Sequence, residues 1–377
     1  MIQLIDRVAE RVQSSLHTSF CDLVGIDYPI VQTGMGFVSD ATLSAATSGA
    51  GGLGIIAAAM MNLDELESSI SLVQETTSKP FGVNLRSDAP DIHERVKIMI
   101  QMKVWVASFA LAPSRSVIDE LKEAGVVCMP SIGARRHAEK VSSWGVDALI
   151  VQGGEGGGHT GAVPTSVLLP QVVDSVDLPV IAAGGFFDGR GLVSALAYGA
   201  DGIAMGTRFL LTRESPVHAA IKQSYLEKSV DSTIVTTRVD GAPHRMIRTP
   251  FVESLEAAGV WSRLENATRN AIAFKRMSGR RWSDILRQGV EMRRTHNYSW
   301  DQIVTTANAP VLCKAAMVDG REDLGILSSG QVVGLIEDIP TCAELVGRIV
   351  GEATEVLERL NGHSSIMAES LKKVTVA

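Results

Sequence analysis

Pro179-Val180-Ile181-Ala182-Ala183-Gly184-Gly185-Phe186-Phe187-Asp188-Gly189-Arg190-Gly191 is followed, with ten residues between, by Gly202-Ile203-Ala204-Met205-Gly206-Thr207-Arg208. Each stretch begins with a short apolar run that ends in glycine. The segment between them is amphipathic and of helical length, as in βα units wound round a parallel sheet. Reading back towards the start, six more runs of this kind occupy residues 29–33, 52–58, 81–86, 104–111, 126–132 and 148–152. With 179–183 and 202–205 they make eight, which predicts a closed α/β barrel. The rival, an open doubly wound sheet, needs a topological switch point and usually has fewer strands. In a barrel the residues just after each run form the rim where chemistry takes place.

After Thr212 the rhythm stops. Residues 1–212 are therefore read as the barrel with an N-terminal helix, and residues 213–377 as a smaller, mostly helical region covering the barrel mouth. The composition, 45% hydrophobic and 20% charged with 35 glycines, excludes a disordered or collagen-like chain. Thirty-five basic and 42 acidic residues give a net charge of −7, which argues against a dedicated nucleic-acid binder, since phosphate contacts need a basic excess. Cys21, Cys128, Cys313 and Cys342 form no CxxC pair, so neither a zinc ribbon nor a secreted disulfide scaffold is expected. Charges at Asp6, Arg7, Glu10 and Arg11 interrupt what an export signal would keep apolar. The longest apolar run, residues 51–61, is short of the ~20 residues that cross a bilayer. A cytoplasmic protein without a membrane partner is expected.

The densest chemical signal follows the sixth run: Gln152-Gly153-Gly154-Glu155-Gly156-Gly157-Gly158-His159-Thr160-Gly161. Glycines there let main-chain N–H groups approach an anion or a flat ring and set a titratable His159 among them; the plainer alternative is a flexible loop. The loops after runs seven and eight, with Gly184, Gly185, Gly206 and the hydroxyl of Thr207, read as a phosphate cradle, or else as tight turns. One phosphate site in a barrel suits flavin mononucleotide (FMN), with its ring lying towards Gly34-Met35-Gly36 and Asn84.

These motifs, in the order Pro29-Ile30-Val31-Gln32-Thr33-Gly34-Met35-Gly36, Gly51-Gly52-Leu53-Gly54, Val83-Asn84-Leu85, the glycine loop ending in His159, Ala183-Gly184-Gly185 and Met205-Gly206-Thr207, resemble the nitronate monooxygenase (2-nitropropane dioxygenase-like) family of FMN-dependent TIM barrels over residues 20–215. The resemblance implies flavin contacts at Thr33, Gly34, Met35, Asn84, Gln152, Gly157, Gly185, Ala204, Met205, Gly206 and Thr207, and a catalytic base at His159. Where nitronate monooxygenases typically carry a Pro-Met pair, this chain has Gly34-Met35. With Pro130-Ser131-Ile132-Gly133 and Val235-Thr236-Thr237-Arg238-Val239-Asp240-Gly241, it looks more like a branch of bacterial steroid degradation that acts on hydroxy-methyl-oxo-indene-carboxyl-CoA thioesters. That branch implies an FMN oxidoreductase working on a CoA thioester, with NAD(H) or NADP(H) as the open choice of co-substrate. The alternative is oxidation of alkyl nitronates with O2.

Residues 261–300 carry nine Lys/Arg against three Asp/Glu, a local +6, and Arg280 and Arg281 are the candidates for coenzyme A phosphates, against the plainer reading of a solvated face. Glu155 is a candidate to tune His159. His244 and Arg245 are candidates to reach the mouth, whereas His17, His93, His137, His218, His296 and His363 read as surface or capping residues. No His/Asp/Glu cluster has ligand spacing, so no metal is expected. The oligomeric state is not legible.

Overall fold

The computed structural model describes residues 16–110, 113–257, 275 and 308–375, with side chains as far as residue 361. Eight parallel strands close into a barrel: β1 (Ile30–Gln32), β2 (Leu53–Ala57), β3 (Phe81–Leu85), β4 (Val106–Phe109), β5 (Val127–Ile132), β6 (Leu149–Gln152), β8 (Val180–Ala183) and β9 (Gly202–Met205). A two-residue strand, β7 (Gly158–His159), lies outside the barrel in the loop after β6. Closure comes from β9 pairing with β1 in parallel, Val31 opposite Ala204. Each of the eight expected runs contains one barrel strand.

The alternation of side chains explains why the runs are apolar throughout. Leu53, Ile55, Ile150, Ile181, Ala183 and Ala204 fill the interior with Val31, Val106 and Met129, while their neighbours Ile56, Leu149, Val151, Val180, Ala182 and Ile203 pack outward against the helices. Both faces of a parallel sheet are covered, so neither has room for polar alternation. Burying each such Leu or Ile contributes ~1.5–3 kcal/mol. The short helix Ser19–Val24 belongs to the interior group through Phe20, Cys21 and Val24. Thr18 Oγ1 and Ser19 Oγ bind Asp201 at 2.6 Å, just before β9, so this helix closes the end of the barrel away from the βα loops.

Beyond Thr212, where a mostly helical region is expected, the described residues also hold two short strands. Strands β10 (Thr233–Thr236) and β11 (His244–Ile247) form an antiparallel pair, and β11 continues onto β7, with His244 opposite His159 and Arg245 opposite Gly158. Strands this short, with mixed polar content, give no period to read, and they form only by pairing with a distant partner. The helix Cys342–Thr375 packs on the barrel helix Gly189–Ala197, where Glu352 Oε2 accepts the Gly189 N–H at 2.8 Å. No helix of the described residues is long and apolar enough to cross a membrane.

Candidate active site

The loops after β1, β3 and β9 bring several expected cofactor residues together. Thr33 N donates to Met205 O at 3.2 Å, which stitches the end of β1 to the end of β9. A Cβ added to Gly34 would sit 2.4 Å from Asn84 Cβ, and one added to Gly206 would sit 3.3 Å from Met35 Sδ and 3.4 Å from Thr33 Oγ1. Thr33, Gly34, Met35, Asn84 and Gly206 therefore share one corner of the mouth. Asn84 is held by its Nδ2, which donates to Ser108 Oγ at 3.1 Å on the next strand. Ala204 and Met205 are nearly fully buried, Ala204 inside the barrel and Met205 in the layer outside it, so what they present to the rim is backbone.

After β8 the chain turns through Gly184 and Gly185 at φ +100° and +86°, a region that side chains rarely adopt. Gly185 faces Glu155, its added Cβ lying 3.5 Å from Glu155 Cβ. Thr207 begins a one-turn helix, Thr207–Leu210, and its Oγ1 accepts from Gly330 N at 3.0 Å, which leaves the hydroxyl proton to donate. Gln152 donates from Nε2 to His159 O at 2.9 Å, fastening the glycine loop to the top of β6. Gly157 packs edge-on against the segment at 329–330: its added Cβ would meet Gly330 N and Ser329 C at 2.5 Å.

His159 stands on β7 with its side chain 60% exposed towards solvent, and its Nε2 lies 2.7 Å from Oδ2 of Asp240, which is 7% exposed. Burial by itself would raise the Asp240 carboxyl, but the hydrogen bond from His159 and the nearby imidazoles of His159 and His244 outweigh it and hold the group well below the ordinary carboxylate range. An ionised carboxylate only accepts, so Nε2 of His159 carries the proton and Nδ1 presents its lone pair. Asp240 Oδ1 is held in turn by Ala242 N at 3.2 Å. His244 is buried beside them, its ring centroid 4.8 Å from that of His159, with Nε2 hydrogen-bonded to Ser328 Oγ at 2.8 Å. Burial lowers its pKa, against the pull of Asp240. Arg245 clamps the loop by donating from Nη2 to Gly154 O at 2.9 Å.

Asp240, rather than Glu155, is thus the carboxylate on His159. Glu155 Oε2 instead accepts from Thr165 N at 2.9 Å and Thr165 Oγ1 at 2.7 Å, capping the helix Thr165–Val173. Asp240, within residues 235–241, lies four residues before His244, the only sequence hint that links the two. Ser328 carried no signal. The expectation of no metal-ligand cluster meets a finding: among the described residues, donor atoms of His159, Asp240 and His244 lie within 4.8 Å of one another. His218, read as a capping residue, does cap the helix Ala219–Leu226, accepting from Ala220 N at 3.3 Å. Arg280 and Arg281 lie outside the described residues.

A family model for nitronate monooxygenase matches residues 17–99 and 89–352. The chain is 53% identical over 347 residues to a (3aS,4S,5R,7aS)-5-hydroxy-7a-methyl-1-oxo-octahydro-1H-indene-4-carboxyl-CoA dehydrogenase of Rhodococcus jostii (strain RHA1), a match covering 92% of this chain and 98% of the relative. It is 55% identical over 346 residues to the protein of the same name from Mycobacterium tuberculosis, covering 91% and 98%. Among solved structures, FabK from Thermotoga maritima superposes with a TM-score of 0.76 at 36% identity, covering 92% of this chain and 99% of that one.

Proposed function

The chain belongs to the nitronate monooxygenase family, and from that premise we propose that it is an FMN-dependent oxidoreductase moving hydride to or from a hydroxy-methyl-oxo-indene-carboxyl-CoA, an intermediate of steroid ring breakdown. The observation that carries the reading is identity of 53–55% to two dehydrogenases of that thioester over more than nine-tenths of this chain. The residues fit a flavin on a geometric ground: Gly206 leaves open, between Met35 and Thr33, a space that any Cβ would fill. Gly185, Gly206 and Thr207 would hold the phosphate, with Thr33, Gly34, Met35, Asn84, Gln152, Gly157, Ala204 and Met205 around the rest. When bound, the flavin supplies the hydride acceptor or donor. NAD(H) or NADP(H) is a co-substrate that would close the cycle by returning the flavin to its starting redox state.

The chain's own residues supply the proton chemistry. Asp240 fixes the His159 ring and its tautomer, so that Nδ1 faces the open side as a base when neutral and as an acid once protonated. A base placed so contributes ~10²–10⁴-fold in rate. Arg245 braces the rim, with Nε and Nη2 on Gly154 O and Nη1 on Thr233 Oγ1. For the CoA end we retain Arg280 and Arg281. The family match itself favours a second reading, oxidation of alkyl nitronates. The deciding experiment compares kcat/KM for the indene-carboxyl-CoA, its free acid and a simple alkyl nitronate. We expect turnover of the thioester alone; a nitronate processed faster than the thioester overturns the reading.

A further inference from the structure

Asp240 Oδ2 faces two imidazoles: Nε2 of His159 at 2.7 Å and Nδ1 of His244 at 4.0 Å. The second separation is too long for a hydrogen bond. His244 is only 4% exposed, and its Nδ1 is shielded from solvent with no hydrogen-bond partner. A native interior rarely leaves such an atom unpaired. The supports around the three donors are complete. His244 is fixed through its other nitrogen by Ser328 Oγ, and Asp240 through its other oxygen by Ala242 N, while exposed His159 leaves an entry from solvent.

We propose that His159, Asp240 and His244 form a binding site for a divalent transition-metal cation, with Zn2+ the best match, whose occupancy excludes the catalytic form of His159. Two imidazoles and one carboxylate suit Zn2+, Co2+ or Ni2+ and not Mg2+ or Ca2+. Zinc takes such ligands at ~2.0–2.2 Å, which places donor atoms roughly 3–4 Å apart. Donors already within 4.8 Å reach that arrangement when His159 draws back slightly from Asp240 and His244 closes on it. A metal site requires ligands held in place by hydrogen bonds from their other atoms, and the fourth position would take water from the mouth.

The exclusion follows from the imidazole. Paired with Asp240, His159 keeps its proton on Nε2 and its lone pair on Nδ1. A metal takes the Nε2 lone pair, so the neutral ring must carry its proton on Nδ1; the Nε2 proton leaves to solvent and another is taken up at Nδ1. The base is then gone without loss of any residue. Binding rests on geometry alone, and only its inhibitory consequence rests on the proposed role of His159.

The test is calorimetry and equilibrium dialysis of the flavin-loaded full chain with ZnCl2, after chelator treatment and in a non-coordinating buffer. The expected result is one Zn2+ bound per chain. His159→Gln, on an exposed side chain that leaves packing alone, should weaken binding at least tenfold, and so should Asp240→Asn. Far-UV circular dichroism and flavin content confirm the fold of each. Co2+ substitution should add visible bands of a nitrogen- and oxygen-ligated ion that both variants lose. No Zn2+ bound by wild type, or equal affinity in wild type and both variants, overturns the site. Stoichiometric binding that leaves turnover untouched upholds the site and removes His159 as the base.

Discussion

His159 and Asp240 stand 81 residues apart in the chain, yet Nε2 of the first lies 2.7 Å from Oδ2 of the second. The antiparallel pairing of β7 with β11 makes the meeting possible, since it sets His244 opposite His159 and leaves Asp240 at the turn leading into β11. This pair decides the tautomer of the histidine, and so, in the role proposed for His159, which nitrogen would meet the substrate. In Asp240→Asn, Ala242 N still claims the carbonyl oxygen, which turns the amide NH2 towards His159 Nε2 and forces its proton onto Nδ1. We expect kcat to fall on the order of 10²-fold or more, with bound flavin unchanged. Steady-state kinetics on the thioester beside the flavin absorbance of the same sample measure it.

Gly206→Val tests the cofactor cradle. Its Cβ would lie 3.3 Å from Met35 Sδ and 3.4 Å from Thr33 Oγ1, and its methyl groups would crowd the residues proposed beside the flavin. The purified variant should elute without flavin while its circular dichroism stays that of wild type. Stoichiometric flavin in it would move the cofactor elsewhere.

Gly157→Ala probes the join between the glycine loop and the segment at 329–330. The new Cβ would lie 2.5 Å from Gly330 N and Ser329 C, both backbone atoms that no side-chain rotation can clear. We expect a loss of ~1–3 kcal/mol in urea unfolding, the usual range for overpacking. Turnover should drop as well, because Gly330 N also binds Thr207.

Replacing Arg280 and Arg281 together with Gln should raise KM for the CoA thioester, and more so at low ionic strength, where attraction to the coenzyme's phosphates is least screened. Flavin content and any turnover of a small nitronate should be unaffected. Equal KM values at low salt would take these arginines out of the CoA site.

Much of the fold was legible because a parallel barrel writes each strand as a continuous apolar run closed by glycine, as at residues 179–183 and 202–205. Thr33, Gly34, Met35, Asn84 and Gly206 were legible as a group through the order of their motifs. What escaped was long-range and irregular. Strand β7 hides in a glycine run, and β10 and β11 have four residues each with no clean alternation. Without that sheet nothing links Asp240, His244 and Ser328 to His159. Glu155 was a candidate partner through its closeness in sequence, with a solvent-facing side chain the equal alternative, and it is instead drawn off to cap the helix at Thr165.

In the proposed function, His159 is the proton-transfer residue of a flavin enzyme acting on a CoA thioester. This role is tested most directly by anaerobic stopped-flow mixing of flavin-loaded wild type and His159→Ala with the hydroxy-methyl-oxo-indene-carboxyl-CoA, following loss of the oxidised flavin band. The account predicts rapid bleaching in wild type and bleaching slower by ~10²–10⁴-fold in the variant, with flavin content equal in both. Equal rates in the two proteins, or no hydride exchange between the thioester and the wild-type flavin in either direction, would contradict it.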